Sequence, residues 1–441
     1  MSNTAKTHST VKRSPVSGFS VGPATNSIAS FTLRSNGLTV LYVPRPKTGV
    51  VTTNLTYRVG ARDELPGETG LAHMLEHMLF KPTTFDRKRK WREARAMRFE
   101  KATGCILNAN TSRDRTTYFF NFPQAQLDEA LAIEAERMTG IILTDPTLRP
   151  EQGNVLNEYD MYNGDPYFAL DAAMHGAAFL AHPYGHETIG HRADIEAYTA
   201  VKLERFYRDY YRPDNAVLQI IGDVSLSDAL QAVKTHFGEI ARPDTPIPRR
   251  QIVEPPQEGL RRTTIERPTS INLFSLGFKH AGFPSAEWWQ AALLVDILTD
   301  GPESVLHRAL VDTGLASSVS GGVEETPDPN LGTITITLTE GTSQETIETT
   351  VRQCLAELDR NTIDSRRKSV QASTLTDLLF AREGSLSIAR LLTECVANGD
   401  WSVYEALPEL VSSVTTADIM QFKARAFVDA NLTIGHCVQT R

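Results

Sequence analysis

Two stretches of this chain repeat the same order of elements, and that repetition constrains the fold more than any single motif does. "YTAVKLERFYRDYYRPDNAVLQIIGDV", residues 198–224, reads as a helix, a short turn at Pro213 to Asn215 and a buried strand. "VTTADIMQFKARAFVDANLTIGHCV", residues 414–438, keeps that order, with Asn before the apolar strand and Gly435 where the first copy has Gly222. A second pair, "TTYFFNFPQAQLDEALAIEAERM" (116–138) and "TITITLTEGTSQETIETTVRQCLAEL" (333–358), runs each time from an alternating strand into an amphipathic helix. Self-similarity at two places points to a duplicated α+β domain, although strand-then-helix order also recurs in unrelated α+β chains. Between the copies "ARPDTPIPRRQIVEPPQEG", residues 241–259, holds five prolines and no helical period, the composition of a semi-extended linker.

The expected division is a flexible leader at 1–26, an N-terminal domain at 27–240, the linker at 241–259 and a C-terminal domain at 260–441. Ordered structure is expected from about Ser27. "SFTLRSNGLTVLYVPR" reads as two strands around an Asn36-Gly37 turn, and "GVVTTNLTYRVG" as a third. With 441 residues, 41% of them hydrophobic, the chain can fill two or three cores. A net charge of -8 argues against a general nucleic-acid binder, and no apolar run approaches the roughly 18 to 20 residues of a membrane span. Cys105, Cys354, Cys395 and Cys437 show no paired spacing, which suits buried thiols in a reducing compartment. The N-terminus lacks the apolar core of a signal peptide, so the cytoplasm is expected. Its Ser and Thr content, its Lys6, Lys12 and Arg13, and the absence of acid before Asp63 keep the mitochondrial matrix or the periplasm open, should the leader be a processed segment.

The chemistry gathers in "GLAHMLEHMLF", residues 70–80, an apolar helical stretch carrying His73, Glu76 and His77. Three adjacent titratable groups do not belong in a core helix without partners. Spaced four apart, His73 and His77 share one helix face, with side-chain roots about 5 to 6 Å apart, so both imidazoles can reach one Zn²⁺. Glu76 lies on the adjoining edge, placed to act as a base without ligating. This is H-x-x-E-H, the reverse of the commoner H-E-x-x-H zinc pattern. A bound metal brings the pKa of water toward neutrality, and a nearby carboxylate can take its proton. The plain alternative is a helix end with satisfied surface histidines. A zinc hydrolase also needs a third protein ligand, and "PEQGNVLNEYDMYNGDP" (150–166) offers Glu151 and Glu158 two turns apart on one face. By pattern alone that pair suits a solvated face equally well.

The chain resembles the pitrilysin or insulinase family of zinc metallopeptidases, in the two-domain branch that includes the mitochondrial processing peptidases and many bacterial homologues. The resemblance runs from "SNGLTVLYVPRP" to "NLTIGH" and is strongest in "GLAHMLEHMLFKPT", "LNANTSRDRTTYFF", "IEAERM", "EQGNVLNEYDMY", "HPYGHETIG" and "YYRPDNAVLQIIGDV". It implies zinc, one per chain, on His73, His77 and Glu158, with Glu76 as base and Glu151 assisting. It implies that the edge strand at Asn108 and Ala109 takes an extended peptide as an added strand. It also implies two similar α+β domains, each a mostly antiparallel sheet with helices packed on one face, forming a clam-like chamber that favours short or unfolded peptides.

Three features bear on that reading. "FDRKRKWREARAMRFEKATG", residues 85–104, lengthens the gap between His77 and Glu158 and is strongly basic; it reads as a solvated helix face or as a lip for acidic peptides or a partner. Where many relatives carry an Arg and a Tyr that hold substrate and intermediate, "LVDTGLASSVS" places Ser317 at the Tyr position and Leu310 or a neighbour at the Arg position. The expected enzyme is therefore a zinc endopeptidase subunit, with a homologous partner chain supplying Arg and Tyr; the rival is a non-catalytic structural or assembly subunit of the same family. His175, His182, His186 and His191, in "HGAAFLAHPYGHETIGH", are read as a structural loop and left out of the metal set.

Overall fold

In a computed structural model, residues 13–440 are described. The first seven strands are β1 (Phe19–Ala24), β2 (Ala29–Leu33), β3 (Thr39–Pro44), β4 (Val50–Tyr57), β5 (Ile106–Thr111), β6 (Thr116–Pro123) and β7 (Ala216–Gly222). They form one sheet in the order β1-β2-β3-β7-β4-β6-β5, antiparallel except where β3 meets β7. The other five are β8 (Arg261–Arg267), β9 (Leu273–His280), β10 (Ala316–Gly322), β11 (Asn330–Leu338) and β12 (Leu432–Gln439), in the order β10-β11-β9-β12-β8, with β12 parallel to β8. Read from the β5 edge, the first sheet runs β5-β6-β4-β7-β3. The second sheet repeats that order strand for strand, including its one parallel pair, and the repeats in the sequence fall on matching elements. Helix Ala200–Tyr210 leads to β7 as helix Thr416–Ala426 leads to β12, and β6 precedes helix Leu127–Gly140 as β11 precedes helix Gln344–Glu357. Both helices before the last strand open on a threonine cap, Thr199 accepting from the Lys202 N–H and Thr415 from the Asp418 N–H. β7 and its neighbours explain the apolar run "AVLQII": a strand between two others with both faces covered is buried at every residue.

The duplicated halves do not separate at one cut. One unit comprises residues up to 156, 188–250 and 380–405, and the other 157–187, 251–379 and 406 onward. Each half of the sequence lends one helix to the other half's sheet. Helix Pro166–Ala178, opened by Pro166 and capped by Asp165, packs on β8, β9 and β12. Met174 of that helix sits where Gly277 and Gly435 leave room; a Cβ at Gly435 would stand 2.4 Å from its sulfur. Helix Ser385–Ala397 packs in turn on β4, β6 and β7. The face it covers is polar, and Thr52 bonds to Ser385 at 2.8 Å while Asn54 and Gln219 donate to Thr393 at 2.7 and 2.8 Å. Buried polar groups there are satisfied by a helix drawn from far along the chain.

The start of order differs from expectation. β1 lies inside the segment expected as leader, because Phe19 and Val16 are buried and hold it against β2; residues 1–12 of the expected leader lie outside the described residues. The proline-rich segment carries neither helix nor strand. Arg212 donates to the carbonyls of Pro243 and Thr245 at 2.7 Å each. Glu254 accepts the N–H groups of Leu180, Ala181 and His182. Burial would raise the Glu254 carboxyl, but those three bonds and the Lys279 charge hold it at about 2. Among the described residues no helix is long and apolar enough to cross a membrane, and the four cysteines are free.

Candidate metal centre

Helix Leu71–Met78 buries Leu71, Ala72, Met74, Leu75 and Met78, which leaves His73, Glu76 and His77 on the half-buried side. Its start is fixed from several directions. Gly70 takes φ +88°, and a Cβ there would meet the Tyr198 hydroxyl and the Ile189 carbonyl. The buried carboxylate of Glu64 accepts the N–H groups of Gly70 and Ala72 at 2.7 and 2.8 Å, capping the helix through space. Tyr198 donates to the Thr69 carbonyl at 2.7 Å, and Asp194 accepts both the N–H and the hydroxyl of Thr69. Residues 189–198 thus brace the helix that bears the motif.

The two imidazoles converge. His73 Nε2 and His77 Nε2 face each other at 3.2 Å. Two nitrogens each roughly 2.0–2.1 Å from a tetrahedral ion stand about 3.3 Å apart, so the pair has the spacing of two ligands of one Zn²⁺. A carboxylate oxygen of Glu158, on helix Asp145–Gly164, lies with them, and the three ligand atoms are all within 4.8 Å of one another. Glu151, two turns earlier on that helix, accepts from His77 Nδ1–H at 2.9 Å, which turns the lone pair of Nε2 toward the cluster. Lys81 Nζ and Asn154 Nδ2 donate to the other oxygen of Glu151. Burial would raise that carboxyl, but the bonds from His77 and Lys81 outweigh it and hold it at about 2. The donor set of two imidazoles and a carboxylate, with one imidazole oriented by a second carboxylate, fits zinc.

Glu76 accepts a short hydrogen bond from the Thr111 hydroxyl at the end of β5. Behind it the Tyr118 and Tyr211 hydroxyls are 3.3 Å apart; burial pushes both phenols up, and the Glu76 charge adds to this. Asn108 and Ala109 lie on β5, which among the described residues pairs only with β6 and carries no strand on its other edge. The Ala109 N–H donates to Asn108 Oδ1 at 2.9 Å. Sequence reasoning missed Glu64, Lys81 and Thr111. Each acts through tertiary proximity, and none belongs to a spaced motif.

The remaining candidates divide. The basic segment forms two short helices, Thr84–Lys88 and Arg95–Thr103, instead of one continuous face. Arg89 and Arg95 are spent on Glu136 and Glu129 of helix Leu127–Gly140, and Arg89 and Arg98 flank the Trp91 ring at 5.2 and 4.0 Å. Of the histidines read as a structural loop, His175 lies instead on helix Pro166–Ala178, with Asp171 and Glu187 within 4.8 Å and its Nδ1–H donating to the Tyr184 carbonyl, while His182 pairs with Asp328. Ser317 is exposed at a bulge in β10, and Leu310 is fully buried.

Residues 39–192 match the family model described as Insulinase (Peptidase family M16), and residues 197–366 match the model described as Peptidase M16 inactive domain. The chain belongs to the insulinase family of peptidases. Among its insulinase-family relatives, the zinc protease PqqE of Helicobacter pylori is 33% identical over 290 residues, 64% of this chain and 63% of that protein. A probable mitochondrial-processing peptidase subunit beta of Schizosaccharomyces pombe is 28% identical over 209 residues, 47% of this chain and 45% of that protein. These matches span less than two thirds of either relative. A crystal structure of a protease from Helicobacter pylori superposes with a TM-score of 0.87 at 26% identity, covering 93% of this chain and 99% of that one. The two sheet-plus-helix domains are thus those of insulinase-family peptidases, and relatives named as zinc proteases are similar in sequence to part of this chain.

Proposed function

We propose that the chain is the zinc-bearing subunit of an endopeptidase that hydrolyses extended peptides. The observation that carries this reading is the convergence of His73, His77 and Glu158 beside Glu76, which is itself bonded through Thr111 to an open sheet edge. Zinc held by those three side chains would supply a Lewis acid that polarises a carbonyl and acidifies water. Glu76 takes the proton of the attacking water and delivers it to the leaving amine. Thr111 aims that carboxylate, and Glu151 holds His77 in the tautomer that leaves Nε2 available. The backbone of a substrate adds to β5 beside Asn108 and Ala109, which hands binding to main-chain groups and leaves preference to side-chain pockets.

Where relatives are expected to carry Arg and Tyr, this chain has Leu310 or a neighbour at the Arg position and Ser317 at the Tyr position. A homologous partner chain would supply those donors, whose loss typically costs two to three powers of ten in rate, about 10²–10³-fold. Cleavage of an internally quenched, unstructured peptide by the purified chain tests both parts. Chelator-sensitive turnover below about 1 s⁻¹ is expected. Turnover by the single chain well inside the ordinary range of about 1–10³ s⁻¹ would remove the partner, and no chelator-sensitive cleavage would remove the peptidase.

A further inference from the structure

On the face of the first sheet that carries helix Ser385–Ala397, a cavity of about 360 Å³ opens against β5. Asn54, Asn108, Asn110, Thr117 and Phe119 line it from the strands, and Arg115, Arg390 and Glu394 supply its charge. The strand residues are in register: Asn54 and Asn108 both stand opposite Phe119, and Asn110 opposite Thr117. Side chains in one row of a sheet share a face. A peptide strand added at the open edge of β5 therefore extends these rows, and every second side chain of it projects to the cavity side. The side chain in line with Asn108 or Asn110 falls within about 10 Å along the strand of Thr111, the residue that bonds Glu76.

The charges in the cavity do not cancel. Arg115 is committed to Glu394, with Nε 3.1 Å from one carboxylate oxygen and Nη2 on the other, and its Nη1 donates to Asn110 Oδ1 at 2.8 Å. That pair neutralises the one carboxylate in the lining. Arg390 is exposed, lies over the Phe119 ring at 5.9 Å, and makes no ion pair among the described residues. A solvated guanidinium resting on an aromatic floor, in a cavity with room for a whole side chain, is suited to a carboxylate.

We infer that this cavity is a specificity subsite for an acidic side chain of the substrate, close to the scissile bond, with Arg390 as its determinant. The inference rests on the proposed peptide binding along β5, so its test reads binding as well as cleavage. Fluorescent extended peptides differing only in Glu, Ala or Lys at successive positions are bound to the zinc-loaded Glu76→Gln chain, and the same series in quenched form is cleaved by the wild-type chain. Glu is preferred over Lys by about tenfold in Kd at one position, and the same preference appears in kcat/KM. Arg390→Ala brings the ratio near unity and Arg390→Glu reverses it, with unchanged thermal unfolding, because the side chain is exposed. A ratio in the Arg390→Glu chain within twofold of wild type overturns the subsite, even if the peptides are cleaved. A reversal in binding without any cleavage leaves the subsite standing and removes only the peptidase reading.

Discussion

Glu76→Gln lowers peptide turnover by about 10²–10⁴-fold while the chain keeps its zinc and its KM. The amide is isosteric and still accepts from Thr111, so neither the helix nor the β5 edge is disturbed. It cannot accept a proton from water at neutral pH. The loss therefore falls on kcat, the signature of an interaction made only in the transition state. A raised KM with kcat unchanged would assign Glu76 to substrate binding. Lost zinc would assign it to the metal set in place of Glu158.

The largest effect on stability is expected at a residue that makes no contact with substrate. Arg137 is 2% exposed and its ion-pair partner Glu134 1%, with Nη2 2.5 Å from a Glu134 oxygen. Its Nε and Nη1 find no hydrogen-bond acceptor among the described residues. The rings of Phe80, Tyr118 and Phe120 surround the guanidinium instead, at 5.7, 4.9 and 5.2 Å. Burial pushes the Glu134 carboxyl up and Arg137 pulls it back, so removing the arginine leaves a buried acid without its counter-charge. Arg137→Ala should cost about 3–5 kcal/mol, read as a shift in the denaturation midpoint. Arg137→Met combined with Glu134→Gln should recover part of that loss, because neutral groups of similar volume remove the stranded charge along with its partner. Equal losses in the single and double variants would mean that packing of the arginine stem, and not the pair, carries the effect.

The legible parts of this molecule are those in which one segment suffices. His73, Glu76 and His77 can be read because a helix brings residues four apart onto one face whatever surrounds it. The repeated helix-turn-strand order is likewise local, and the two sheets share the strand order it implies. Glu158 is a different case: its helix shows a carboxylate pair like any solvated face, and only resemblance to a family singles it out. Glu64 reaches Gly70 and Ala72 across a turn with no capping pattern, so its role depends on the fold already being present. The exchange of helices Pro166–Ala178 and Ser385–Ala397 is invisible to periodicity, which says that a helix has an apolar face but not which sheet covers it. β1 is illegible in the sequence for a related reason. Its few apolar anchors, Val16 and Phe19, are enough only because an edge strand awaits them.

The central claim, that His73, His77 and Glu158 hold one catalytic zinc, is tested most directly by metal analysis. The chain is purified without metal-affinity resin, and zinc per folded chain is measured by inductively coupled plasma mass spectrometry for wild type, His77→Ala and Glu158→Gln. One zinc per wild-type chain is predicted, with loss in both variants while circular dichroism and thermal unfolding show them folded. A folded wild-type chain that takes up no zinc when supplied with it, or a His77→Ala chain that retains a full equivalent, would contradict the assignment.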